Sequence, residues 1–94
     1  MSRRTLRVLV GDAAEPVTIV GRDAWALEAL LSAGMIGLTP IDRPAPRWSH
    51  YIFKLRGKGI RVETIEEANR GEFKGTHARY VLRSPVTILE DVKG

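Results

Sequence analysis

"PRWSHYIFKLRGKG" (residues 46–59) carries two chemistries on one helical repeat. At about 100° per residue, Trp48, Tyr51, Ile52 and Leu55 gather within a third of the circumference, the width of a core-facing stripe. The opposite side carries Arg47, His50, Phe53 and Lys54, with Ser49 and Arg56 at one edge of the stripe. Pro46 suits the first turn of a helix and Gly57 and Gly59 suit its end, which predicts about three turns. The stripe is therefore expected in the core. A large ring such as Phe53 opposite a core stripe is disfavoured unless a partner, a second layer of the fold or a base methyl covers it.

The basic character extends beyond this helix. Arg43, Arg47, Lys54, Arg56, Lys58 and Arg61 fall in a run without a carboxylate, while Arg3, Arg4 and Arg7 form an earlier cluster and Lys74, Arg79 and Arg83 a later one. Between the last two groups lies "ETIEEANRGE", where Glu63, Glu66, Glu67 and Glu72 outnumber Arg70, so an anion-binding surface has to exclude much of this segment. The net charge of +4 is moderate, and its distribution matters more than its sum.

On the N-terminal side, "TLRVLV" (residues 5–10) and "VTIV" (17–20) are β-rich and separated by the turn-like "GDAAEP", which predicts a hairpin. "RDAWALEALLSA" (22–33) places Ala24, Leu27, Leu30 and Leu31 on one broad face, with Gly34 where a helix cap belongs. Asp23 near its start suits the helix dipole. The prolines of "MIGLTPIDRPAP" (35–46) leave room for one short helical turn at most. On the C-terminal side, "IRVETIEEA" and "HARYVLR" read as strands, with Ile60 and Val62 on one side of the first and Tyr80 and Leu82 on one side of the second. "NRGEFKGT" is a polar loop between them, and "VTILE" after Pro85 is expected to pair with the N-terminal hairpin.

Length and composition bound the rest. A chain of 94 residues, 44% apolar and 28% charged, is sized for one domain: a hairpin over 1–20, a central unit over 21–83 and a C-terminal strand and tail over 84–94. There are no cysteines, which excludes disulfides, thiolate zinc sites and a cysteine nucleophile. No apolar run approaches the roughly 20 residues of a membrane span, and the basic start lacks the apolar region of a signal peptide, so a cytoplasmic location is expected.

Catalytic constellations are wanting. His50 and His77 have no third ligand at metal spacing, so neither a metal nor another cofactor is implied. The glycines of "RGKG" and "GEFKGT" do not match a nucleotide-binding loop and read as a helix stop and a strand turn. Glu66 and Glu67 are adjacent in a strand and point to opposite faces, a poor arrangement for acid and base to cooperate. The expectation is a protein without enzymatic activity or a small-molecule substrate.

The order of elements, a helix, a short proline-rich connection, a second helix ending "KLRGKG" and two strands joined by a loop, resembles the winged helix-turn-helix. "TPIDRPAPRWSHYIFKLRGKGIRVETI" followed by "GTHARYVLRSPV" is more closely similar to small winged-helix proteins of bacterial and prophage genomes. The resemblance spans residues 22–86. It implies an α+β fold, with two or three helices plus a β-wing, to which the N-terminal hairpin is added. It also implies that residues 47–56 enter the major groove of double-stranded DNA and that residues 60–83 form the wing. In that role Arg47, Lys54, Arg56 and Lys58 are candidates for phosphate or guanine, Ser49 and His50 for base edges, and Phe53 for an apolar contact. Arg70 and Lys74 in the wing loop are placed to reach a neighbouring groove or phosphates. A small transcriptional or prophage regulator is the implied function. The alternative is a non-catalytic interaction module, with a protein partner or a second copy meeting Phe53 and the acidic wing.

Overall fold

Along "RTLRVLV" apolar and polar side chains alternate, Leu6 and Val8 turning inward and Arg7 outward, so the segment forms a strand with one buried face. In the computed structural model, which describes residues 4–45, 47–69 and 75–93, this is β1 (Arg4–Val10). It is followed by β2 (Val17–Val20), α1 (Gly21–Ala33), α2 (Trp48–Gly57), β3 (Val62–Ala68), β4 (Thr76–Leu82) and β5 (Val86–Lys93). A short 3-10 turn, Gly34–Ile36, follows α1.

The fold is α+β, with two antiparallel sheets among the described residues. One is three-stranded in the order β2-β1-β5, and the other is the β3-β4 pair. The hairpin of β1 and β2 pairs with the C-terminal strand as expected, Leu6 opposite both Ile19 and Asp91. A bulge between Arg7 and Val8 shifts the β1-β5 register, which moves from Arg7 opposite Glu90 to Val8 opposite Ile88.

The two helices bridge the sheets. On α1 the buried residues are Ala24, Ala26, Leu27, Ala29 and Leu30, while Leu31, expected inside, is half-buried at the margin. Small alanines on the buried face let the strands approach α1 closely. On α2 the buried residues are Trp48, Tyr51, Ile52 and Leu55, the whole of the expected stripe. One hydrophobic cluster joins Leu6, Val8 and Ile19 to the helices and to Ile60, Val62 and Tyr80 of the β3-β4 unit. Fully burying a side chain such as Leu27 or Ile52 contributes about 1.5–3 kcal/mol, so this shared core dominates the stability of the domain.

Aromatic rings lock α2 between α1 and the wing. Trp48 lies 5.3 Å from Trp25 of α1, 5.9 Å from Tyr51 and 6.2 Å from Tyr80 of β4, and its indole N–H donates to the Arg43 carbonyl at 2.7 Å. That last bond ties the proline-rich connection to the helix it precedes. Trp25 is half-buried in this cluster.

The wing is more than a hairpin. Leu38 exchanges both backbone hydrogen bonds with Tyr80, at 2.9 and 2.8 Å, as a one-residue third strand. Its neighbour Gly37 has φ of +77°, and a Cβ there would stand 2.6 Å from the Tyr80 carbonyl oxygen and 2.7 Å from a Val81 methyl, so only glycine fits. The next antiparallel rung would set Pro40 opposite Ala78, and proline has no N–H to give, so the third strand ends after one bridge.

Candidate nucleic-acid interface

The outer face of α2 is formed by the residues that its inner stripe leaves over. Arg47, Ser49, His50, Phe53, Lys54, Gly57 and Lys58 are all exposed, and Phe53 is 71% exposed. The helix starts at Trp48, later than the proline-based expectation, and Pro46 lies outside the described residues. Arg47 caps it instead, in the left-handed region at φ +68° and ψ +37°, with its carbonyl accepting the N–H groups of His50 and Tyr51. A non-glycine residue pays of order 1 kcal/mol or more for this conformation. The turn brings the Arg47 backbone into the start of the basic face.

Two carboxylate systems keep other cations away from that face. Arg4 bonds both Asp91, at 2.7 and 3.1 Å, and Glu28 of α1, and these carboxylates hold its guanidinium more firmly protonated than usual. Arg7 meets Glu90 at 3.2 Å. In the wing, Arg83 donates to Glu63 at 2.7 Å and Arg79 to Glu67 at 2.8 Å. His77, opposite Glu67 in the register, sets Nε2 3.1 Å from Glu67 Oε1 and Nδ1 2.7 Å from Asn69 Oδ1. The Arg79 hydrogen bond, with help from His77, holds the Glu67 carboxyl below the usual carboxylate range. Glu67 in turn raises Arg79.

The acidic wing strand is thus largely neutralised by its own partner strand. Glu63 and Glu67 lie on the side of β3 away from Val62 and Thr64, the side that meets α2. Glu66 is on the α2 side, near the outer end, where it accepts the Thr76 hydroxyl at 2.7 Å. Glu72 lies outside the described residues.

Arg43, Arg47, Lys54, Lys58 and Arg61 have no carboxylate within ion-pair reach among the described residues. They occupy α2, the connection before it and the turn after it. Arg56 is also free of carboxylates but is engaged otherwise: its guanidinium donates to the Val62 carbonyl at 2.6 and 3.2 Å and to the Thr64 hydroxyl at 2.9 Å. It acts as a strut between helix and wing, and its remaining donors alone are available outward. Arg70 and Lys74, expected to contribute from the wing loop, lie outside the described residues.

Three cations beside this face stand outside the contacts expected from the sequence: Arg43 and Arg61, which the acid-free run already contains, and Arg22. Arg22 at the start of α1 stacks on Trp25 and Tyr51, 5.1 and 5.9 Å from the ring centres, and donates to the Tyr51 hydroxyl at 3.3 Å, so it borders the α2 face. Arg61, exposed beyond α2, belongs to the acid-free run, and that run was the signal for it.

A cleft of about 470 Å³ opens on the other side of the wing, lined by Thr39, Ile41, Asp42, Glu67, Ala68, His77 and Arg79. Glu67, His77 and Arg79 spend their polar atoms on one another or on Asn69 and the Ile36 carbonyl, so they brace the wing. Among the described residues no group of three metal-ligating side chains occurs, and no helix is long and apolar enough to cross a membrane.

A helix whose outer face is cationic, packed between a preceding helix and a β-ribbon braced by a third short strand, defines a winged-helix architecture. A model of the winged helix domain family matches residues 16–92, and the chain belongs to that family. The match takes in β2 and all but the last residue of β5 as well as the segment that carried the resemblance. Winged-helix domains are in general DNA-binding modules. No curated protein and no solved structure matches the chain.

Proposed function

We propose that this chain binds double-stranded DNA with α2 in the major groove and serves as a small transcriptional or prophage regulator. The observation that carries the reading is the sorting of charge. Among the described residues Arg4 and Arg7 on the three-stranded sheet and Arg79 and Arg83 on the wing are matched to carboxylates, whereas Arg47, Lys54 and Lys58 of the α2 face make no ion pair. Arg47, Lys54 and Lys58 supply phosphate contacts, Ser49 and His50 face base edges, and Arg56 sets the angle between helix and wing. Arg70 and Lys74 extend the footprint from the wing loop.

A residue-resolved NMR titration with a mixed-sequence duplex, at low and at physiological salt, tests this. Shifts should concentrate on residues 47–58, with affinity falling at a log–log slope of about −0.9 per phosphate neutralised. A spectrum that does not move at low salt sinks the proposal. A second reading, docking to a protein, is favoured by Met35, Ile36 and Ile41, which are 88%, 78% and 65% exposed around the connection between the helices.

A further inference from the structure

Phe53 is the one large apolar side chain on the outer face of α2. Ser49 stands one turn before it on the same row and Gly57 one turn after, where an added Cβ would meet nothing within 4 Å. Among the described residues no other ring approaches it. The ring therefore projects alone from a strip of small residues, flanked by His50 and Lys54 and with Arg47 and Lys58 towards the helix ends.

We infer that Phe53 reads thymine, by packing its ring against the 5-methyl group in the major groove, an inference that rests on the DNA-binding reading above. The argument runs from what such a ring can meet. A helix with side chains is about 10–12 Å across, which suits the roughly 12 Å major groove and not the roughly 6 Å minor groove. On the major-groove edges of the four base pairs, donors and acceptors predominate, and the apolar group that distinguishes one base is the thymine methyl. A protein hot spot would instead need contiguous apolar surface to exclude water around the ring, and here its neighbours are serine, glycine, histidine and lysine. The surrounding cations hold phosphates at the groove walls, and Phe53 is then left with the floor. It selects among sequences while they supply affinity.

The test begins with selection of duplexes from a random-core pool by the full chain. The enriched duplex is then resynthesised with each thymine replaced in turn by deoxyuridine, which removes the methyl alone. Burial of one methyl-sized group predicts that wild type binds about fourfold more weakly at one or two positions. Phe53→Ala should bind the thymine and uracil forms equally, and Phe53→Leu should keep part of the discrimination. Both variants should melt with wild type, because the ring is exposed. The inference is overturned if wild type shows no difference at any position, or if Phe53→Ala discriminates as well as wild type does. A protein that enriches no duplex and binds none at low salt defeats the DNA-binding reading itself, and this outcome is distinct from salt-dependent binding that ignores the methyl.

Discussion

Arg79 and Arg83 on the wing and Arg47 and Lys54 on α2 are all solvent-accessible cations of one small domain, yet they are in opposite situations. The wing pair is held by Glu67 and Glu63, and the helix pair makes no ion pair among the described residues, although Lys54 shares a small cleft with Asp23 of α1. Charge density along the chain does not separate them, since both lie near basic runs. Register does: in the β3-β4 ladder Arg79 stands diagonal to Glu67 on the same face, and Arg83, one residue past the end of β4, reaches Glu63, while α2 has no acid within its length. The lesson is that an anion-binding surface is located by the cations a fold leaves over, more than by those a sequence contains.

The largest expected effect breaks this comparison directly. Arg47→Ala combined with Lys54→Ala should lower duplex affinity about a hundredfold at low salt and make the salt slope shallower by about two, with the melting temperature unchanged. Arg79→Ala combined with Arg83→Ala should leave the slope as it was; an equal loss of affinity in this control would abolish the distinction between the two populations. Next in size, Arg4→Ala strips Glu28 and Asp91 of their shared cation and should destabilise the domain by about 1 kcal/mol, a fall of roughly 5 °C in a melting curve.

A smaller effect sharpens the role of Arg56. Because its bonds run to Val62 and Thr64, Arg56→Lys should keep the charge yet lose the fork, and stability should drop by less than about 1 kcal/mol. Duplex binding measured alongside should weaken while the salt slope stays nearly constant. A slope shallower by a full phosphate contact would return Arg56 to the contacting set.

The smallest effect concerns pH. Glu67 has a lowered folded-state pKa, so its contribution is complete above the ordinary carboxylate range and is lost as pH falls through the lowered value. The side-chain carboxyl carbon shift of Glu67 should therefore report an acid transition below that of a free glutamate. Glu67→Gln should abolish it. A transition of the Glu67 carboxyl at the free-glutamate position in wild type would mean that the Arg79 pair does not form in solution.

Much of this architecture is legible in the residues because it is local. Helical spacing identifies Trp48, Tyr51, Ile52 and Leu55 as buried, alternation identifies the strands, and the prolines between residues 40 and 46 exclude a full second helix. What escapes is set by contacts distant in sequence. The Leu38–Tyr80 bridge joins residues in segments with no shared pattern, and Gly37 looks like any loop glycine until β4 lies against it. Arg56 reads as one more cation of a basic face, and its turn towards β3 depends on where the wing strand crosses the helix. The left-handed backbone of Arg47 has no residue-type signal, since arginine does not favour it. For the site, the outer face of α2 was readable, and the pairing that silences the other cations was not.

The single Leu38–Tyr80 rung has a mechanical consequence. Tyr80 is fixed to Leu38 through its backbone and stacked on Trp48 through its ring, while rungs farther out, such as Glu67 opposite His77, make no backbone bond to a third strand among the described residues. The ribbon is a cantilever clamped at one end, and its clamp is also the bearing of the helix. Amide hydrogen exchange should accelerate outward from Tyr80, in a gradient that Pro40 imposes by ending the third strand. A load on the outer ribbon is carried back to Trp48, so tilting the wing and rolling α2 become one motion.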